Sequence, residues 1–318
     1  MSLVAWIRGR RGASGFGYAS TAEEVTAGID LRGKTILVTG VNSGLGRESA
    51  RVLSLRGATI LGAARTRAKA RAACEALPGE AVPLECELSE PRSVRACVAE
   101  ARAHAPLDVV LCNAGIMALP ERTIVHGQEL QFLTNHVGHF ILVTSLLDAL
   151  SDDARVVMLS SGAHAWAPPG GIQLDDPTFE RGYSPNQAYG QSKLANLLFA
   201  KELARRFEGT DKTANAVHPG VIATNLGRHM PWYARVLFPI AAALAFKSIP
   251  QGAATQCYVA THPSLADVRG EYFADCNTAK SSRHSRDPEL AKRLWDLTEA
   301  IVADLAPDGD GVSASTRS

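Results

Sequence analysis

This sequence predicts a single doubly wound α/β domain, one parallel sheet with helices on both faces. Three observations carry that prediction. Short, nearly continuous apolar runs alternate with stretches of helical periodicity, the pattern required of strands buried on both sides by crossover helices. The first apolar run leads straight into a glycine-rich turn, Gly40-Val41-Asn42-Ser43-Gly44-Leu45-Gly46. No repeat and no long linker divides the 318 residues, a length that suits one large domain or two small ones.

Taken in order, Thr35–Thr39 reads as the first strand, followed by a helix from Gly44 to about Arg56. Ala58–Ala63 is the second strand, with a helix through Leu77, and Val82–Cys86 is the third. Pro91 suits the first turn of the next helix. Leu107–Cys112 is a very apolar fourth strand, and a long helix is expected over Gln128–Leu150. Arg155–Ser160 is the fifth strand, followed by a helix from Gln187 to Phe207 and a strand at Ala214–His218. Residues 1–30 read as an N-terminal extension, 31–305 as the domain with 225–250 as an excursion from it, and 306–318 as a polar, disordered tail.

Composition narrows the function. Lys plus Arg (33) nearly cancels Asp plus Glu (32), and a net charge of +1 gives no general attraction to nucleic acid. The six cysteines are scattered, with no Cys-x-x-Cys pair, which argues against a zinc site or disulfide framework and suits a reducing compartment. His136, His139, His164 and His218 have no metal-ligand spacing, so no metal is expected. Val236–Phe246 is broken by Pro239 and is shorter than the roughly 20 residues of a membrane span. A cytoplasmic protein is expected. The basic, acid-free start also fits a short transit peptide, and peripheral membrane contact stays open.

The glycine turn is the first candidate site. Glycines permit the tight turn and let backbone N–H groups approach a pyrophosphate at a helix N-terminus, where the dipole favours anions. The spacing is Gly-x-x-x-Gly-x-Gly, not Gly-x-Gly-x-x-Gly, and such glycines also serve purely structural ends. Placed between strand and helix, Gly40, Asn42, Ser43, Gly44, Leu45 and Gly46 point to a Rossmann-type dinucleotide site. An NAD site wants an acid roughly 20 residues further on, for the ribose 2′-OH. Residues 58–74 hold neither Asp nor Glu, and the second strand ends Ala63-Ala64-Arg65-Thr66-Arg67 with Lys69 nearby. A guanidinium at Arg65 can grip a 2′-phosphate. NADP is therefore expected, with NAD as the weaker ligand, although the same residues also read as a solvated helix start.

Tyr189-Gly190-Gln191-Ser192-Lys193 puts a phenol and an ammonium four residues apart, on one helix face. A neighbouring ammonium should lower the phenol's pKa toward the range of a proton shuttle. Ser160 and Ser161 end the fifth strand, Asn113-Ala114-Gly115 ends the fourth, and Asn135 lies in the long helix. Strand carboxyl ends converge on the ligand crevice of such sheets, so these residues can meet. His164 follows Ser161 without a Gly-x-Ser-x-Gly elbow, which speaks against a hydrolase triad.

Together the glycine turn, Asn113-Ala114-Gly115, Asn135, Ser161, Tyr189-x-x-x-Lys193 and Pro219-Gly220 resemble the short-chain dehydrogenase/reductase superfamily. Asn135-His136-Val137-Gly138-His139-Phe140, Ser160-Ser161-Gly162-Ala163-His164 and Ala188 to Asn196 resemble its retinol-dehydrogenase and WW-domain-oxidoreductase branch. Residues 14–25, Thr224 to Arg228 and Pro250 to Thr255 extend the likeness to the plant chloroplast-envelope dehydrogenases of the import translocon and their bacterial relatives. It covers about 14–300.

The resemblance implies a role for each matching position. Tyr189 is the general acid for carbonyl reduction, or the base for alcohol oxidation. Lys193 tunes it and binds the nicotinamide ribose, Ser161 positions the substrate oxygen, and Asn135 holds a water linking Lys193 to solvent. Asn113, with Ala114 and Gly115, fixes the cofactor beside the fourth strand. Pro219, Gly220, Val221 and Thr224 lie by the nicotinamide. The usual Asp-Leu adenine contact is here Glu87-Leu88, one methylene longer. The region Trp232–Phe246 reads as core or as wall of an apolar substrate pocket, on the substrate side of the 225–250 excursion. A fairly apolar ketone, aldehyde or alcohol is the expected substrate; the sequence leaves the oligomeric state open, a homo-oligomer among the options. The competing reading is an NADP-binding sensor or scaffold with little turnover, suggested by the translocon-associated relatives. The resemblance also makes a chloroplast the alternative location, if the source is a plant.

Overall fold

The computed structural model describes residues 9–222 and 246–305. Within them, β1 (Thr35–Thr39), β2 (Thr59–Ala64), β3 (Ala81–Glu85) and β4 (Leu107–Cys112) form the first half of a sheet. It continues through β7 (Leu150–Leu159), β8 (Thr213–His218), β9 (Tyr272–Ala274) and β10 (Asn277–Thr278). The eight-stranded order is β10-β9-β8-β7-β4-β1-β2-β3. Every pairing is parallel except β9 with β10. Chain direction across the sheet reverses between β1 and β4, and that switch point is where such sheets open a crevice.

Helices cover both faces. Beyond the short α1 (Ala22–Val25), one face carries α2 (Gly44–Leu55), the other α4 (Pro91–Arg102), and α3 (Arg67–Cys74) links β2 to β3. The face with α4 holds the larger core, in which Leu37, Val110, Val156 and Ala216 of the strands meet Phe140, Leu198 and Trp295. The opposite core gathers Ile36, Val38, Leu111 and Val217 with Val52, Ala253 and Cys257. Alternate residues of each strand feed opposite cores, as strands buried on both sides must. Ala22 and Val25 belong to the second core, and Ala22–Val25 carries a capping box from Thr21 and Glu24. The described part of the expected N-terminal extension is thus packed against the domain.

The expected helix over Gln128–Leu150 is corrected at both ends and in the middle. Gln128–Glu129 is a short strand, β6, paired in a hairpin with β5 (Ile124–Val125). The buried Glu129 carboxylate then accepts from Phe132 N at 2.8 Å, which starts the helix there. Leu130–Phe132 (α5) and Gly138–Thr144 (α6) are α-helical, with a π turn over Leu133–Val137 between them. Leu150 is already in β7, opposite Leu107. The fifth strand therefore begins at Leu150 and not at Arg155. The expected Tyr189 helix is α7 (Pro185–Arg206), and α8 (Ile249–Thr261) and α9 (Pro288–Asp304) complete the layers. Thr224 and most of the 225–250 excursion lie outside the described residues, as does the tail 306–318.

Candidate active site

A cleft of about 370 Å³ opens over the carboxyl ends of β1, β2 and β4. Gly40, Asn42, Ser43, Gly44 and Leu45 line one side of it, and Asn113, Ala114 and Gly115 the β4 side. Gly40 and Gly44 have φ of +77° and +55°, which glycine adopts without the steric cost of a Cβ. A Cβ on Gly46 would stand 2.3 Å from the Gly40 carbonyl oxygen, so the third glycine serves the fit of helix to turn. Ser43 caps α2 without a side-chain bond, and no acid occupies the first turn. The helix start thus presents backbone N–H groups with no carboxylate competing for them, which suits a phosphate.

Arg65, Glu87 and Leu88 line the β2–β3 end of the cleft, with Lys69. Arg65 Nε meets Glu87 Oε2 at 2.9 Å, while Glu87 Oε1 accepts from Ser89 N and Ser89 Oγ. Between these two ends, Thr39 ties β1 to β4. Its hydroxyl accepts from Asn113 N and Ala114 N at 2.9 and 3.0 Å and bonds His139 Nε2 at 3.0 Å. The other ring nitrogen of His139 donates to the Asn135 carbonyl at 2.9 Å. Burial pushes His139 down to about 4, which keeps the ring neutral and able to bridge.

The predicted catalytic residues come together beside this cleft. Asn135 sits in the π turn, a local break in the helical ladder of the kind found at functional sites. Its Oδ1 accepts from Ile116 N at 2.8 Å, and its Nδ2 donates to Ile116 O and Ser192 Oγ, each at 2.9 Å. Lys193 is buried and donates from Nζ to the Leu159 carbonyl at 3.1 Å, with its ammonium 5.8 Å from the Tyr189 ring centroid. A Cβ on Gly115 would lie 3.0 Å from Asn135 Oδ1 and 3.2 Å from Lys193 Nζ, so the ammonium stands just below the cleft wall. Ser161 lies two residues beyond β7 and interacts with the Tyr189 hydroxyl.

The electrostatics correct one expectation. Burial pushes the Tyr189 phenol above its ordinary value, with the Ser161 hydroxyl opposing, where the sequence led us to expect a lowering by Lys193. Desolvation wins here because the ammonium is turned to a backbone carbonyl and is itself pushed down to about 8 by burial.

Residues 34–172 match the short chain dehydrogenase family. Short-chain dehydrogenase TIC 32 A, chloroplastic, of Brassica napus is 43% identical over 96% of this chain and all of its own length. The chain belongs to the short-chain dehydrogenase/reductase family. Within that family, human retinol dehydrogenase 14 is 40% identical over 86% of this chain and 87% of its own. Among solved structures, the angucycline C-6 ketoreductase LanV with bound NADP superposes with a TM-score of 0.62 at 25% identity, covering 77% of this chain and 94% of that one.

Not every residue expected to hold the dehydrogenase cofactor reaches the cleft. Gly46, Tyr189 and Lys193 are not among the described residues lining it, and neither are Pro219, Gly220 and Val221, which follow β8. Gly220, at φ +89°, packs on the Lys247 side chain, and Lys247 N donates to Val221 O at 2.8 Å. Thr39, Cys86, Ile116, Thr134 and Leu159 line the cleft without having been singled out as site residues. The one usable signal was Thr39, a polar residue closing the apolar run 36–38 beside the glycine turn. Among the described residues no group of His, Cys, Asp and Glu could hold a metal ion, and no helix is long and apolar enough to cross a membrane.

Proposed function

We propose that this chain is an NADP(H)-dependent oxidoreductase that interconverts a fairly apolar ketone or aldehyde and its alcohol. What supports this reading is the grouping of Tyr189 with Ser161 and Lys193, the Lys193 ammonium lying behind the Gly115 wall of a cleft that Arg65 also lines. The residues fit the dinucleotide: the glycine cradle leaves room for a pyrophosphate, and Arg65 and Lys69 supply positive charge for a 2′-phosphate. Asn113 to Gly115 would flank it along β4, and Glu87 with Leu88 would meet the adenine. When bound, the cofactor supplies the hydride.

The chain's own residues handle the proton. Tyr189, held as the neutral phenol by burial, donates its proton to the carbonyl oxygen during reduction. Ser161 donates a hydrogen bond to the same oxygen as charge builds there. The Lys193 ammonium, below the cleft wall, stabilises the phenolate that remains. Asn135 braces Ile116 and Ser192, one residue from Lys193. An apolar substrate is favoured by Met117, Trp166 and Val221, which are more than half exposed on segments adjoining the site.

The test is reduction of a panel of aldehydes and ketones with NADPH, followed at the nicotinamide absorbance. Turnover of apolar members in preference to small polar ones is expected. Tight NADPH binding without turnover of any member would instead favour a cofactor-sensing role.

A further inference from the structure

Ser161 joins β7 to a 3₁₀ turn, Gly162–Trp166, and caps that turn, its Oγ accepting from Ala163 N at 3.2 Å. Because Oγ accepts this N–H, the hydroxyl's own proton is left to point away from it. The attitude of the residue then depends on the peptide that links it to Gly162. Two imidazoles from different parts of the chain reach that one peptide unit. His164 Nδ1 donates to the Ser161 carbonyl oxygen at 2.6 Å. His218 Nδ1, at the end of β8, accepts the Gly162 N–H at 3.0 Å.

The 161–162 peptide is trans, so its C=O and N–H point in opposite directions. It is gripped at both ends, and rotation about the Ser161 backbone breaks at least one of the two bonds. The hydrogen-bond pattern assigns each tautomer. His164 Nε2 accepts from Ser282 N at 3.0 Å, which leaves its proton on Nδ1 for the Ser161 carbonyl. His218 must be bare at Nδ1 and protonated at Nε2. Burial lowers both rings' pKa values, that of His218 to about 4. Asp275 opposes the shift at His218, while Lys247 and His164 reinforce it. Lys247 is itself buried, with Nζ 2.6 Å from Asp275 Oδ1.

We propose that His164 and His218 are positioning residues for Ser161, holding the two ends of peptide 161–162 so that the serine hydroxyl is aimed at the reacting carbonyl oxygen beside Tyr189. This rests on the reading of Ser161 as the group that binds that oxygen. Neither ring is among the described residues lining the cofactor cleft, so loosening the clamp should slow the chemistry and leave cofactor affinity alone.

The experiment compares His218→Leu with His218→Asn in the full chain. Reduction is measured with NADPH and whichever of benzaldehyde, decanal and all-trans-retinal is reduced fastest. Asn can offer Oδ1 near the place of the ring Nδ1 and accept the same N–H; Leu cannot. Loss of one buried hydrogen bond in the leucine variant is expected to lower kcat about tenfold, with NADPH affinity within about twofold of wild type. The asparagine variant should stay within about threefold of wild-type kcat. In a Ser161→Ala background the leucine change should cost less than about twofold more, because no hydroxyl remains to be aimed.

A leucine variant at wild-type kcat, or one whose full loss persists over Ser161→Ala, overturns the clamp alone. Full rate in Ser161→Ala by itself overturns the role of Ser161 and the clamp with it. No turnover of any of the three carbonyls overturns the reductase reading as well. Should the leucine variant not fold, the ¹⁵N shifts of the wild-type imidazoles decide. Nδ1–H on His164 and Nε2–H on His218 at pH 7 are expected, and the opposite tautomer on either ring overturns the proposal.

Discussion

At the nucleotide end of the cleft the Arg65 side chain is 61% exposed and ion-paired with Glu87. At the catalytic end Lys193 is 3% exposed and donates to a backbone carbonyl. The first cation stays in water and adds a charge-assisted contact when an anion arrives, so its effect is local and screened. The second is held out of water at a cost that shows as a depressed pKa, because burial penalises its charged form. On the proposed function, one end of the cleft would select the ligand and the other would set the conditions for proton transfer. Substitutions at the two ends should therefore fail in different measurements.

The largest effect is expected at the catalytic end. Tyr189→Phe keeps the ring and deletes the proton donor, so kcat should fall on the order of a thousandfold, with NADPH affinity within about twofold by fluorescence titration. A variant near wild-type rate would remove Tyr189 from the mechanism. At the nucleotide end, Arg65→Ala should leave kcat at saturating cofactor nearly unchanged. A charge-assisted contact contributes about 1.5–3 kcal/mol, so wild type should prefer NADP over NAD roughly ten- to a hundredfold, and the alanine variant should lose most of that preference. Equal affinities in wild type, or an unchanged ratio in the variant, contradict the assignment.

Between the two ends, Gly46→Ala tests the backbone. Its Cβ would meet the Gly40 carbonyl oxygen at 2.3 Å, and relief requires the turn to move. Cofactor affinity should fall at least about tenfold, with a stability loss of about 1–3 kcal/mol. Affinity like wild type would show that the turn yields cheaply.

The smallest effect sharpens the contrast through stability. The folded-state pKa of Lys193 is about 8, below its ordinary 10.5, so the unfolded chain holds this proton more tightly. The cost to the folded state is complete below pH 8 and disappears as pH rises toward 10.5. Lys193→Met removes the charge and keeps much of the length. It should stabilise the cofactor-free protein at pH 7 by on the order of 1–3 kcal/mol, and the gain should fade as pH rises from 8 to 10.5. A destabilised variant at pH 7 would mean that the bond to Leu159 outweighs desolvation. The comparable change at the exposed Arg65 should leave Tm nearly unmoved.

Much of the fold was legible because its signals are local. The apolar runs at Thr35–Thr39 and Leu107–Cys112 became β1 and β4 with the same bounds, and Gly40 to Gly46 became the expected turn. Of the long helix after Val125, the bounds and the π turn were not legible. Its start depends on the buried Glu129 carboxylate, its π turn surrounds Asn135, and its end is decided by Leu150 pairing with Leu107. Each is a contact with a partner that helical periodicity does not register. Of the candidate site, Arg65, Glu87, Asn113, Ser161, Tyr189 and Lys193 were all named from sequence. That Arg65 would pair with Glu87, and that Lys193 would turn to Leu159, were not.

The sequence by itself determined strand order along the chain, the glycine turn and the shared helix face of Tyr189 and Lys193, since periodicity, glycine conformation and i, i+4 spacing act within a few residues. The tertiary structure decided the direction in which their pKa values shift and the partners their side chains meet. Burial of Tyr189 and Lys193, and the grip of His164 and His218 on one peptide bond, require elements distant in sequence to close around the same point. Desolvation and hydrogen-bond partnership exist only once they have closed.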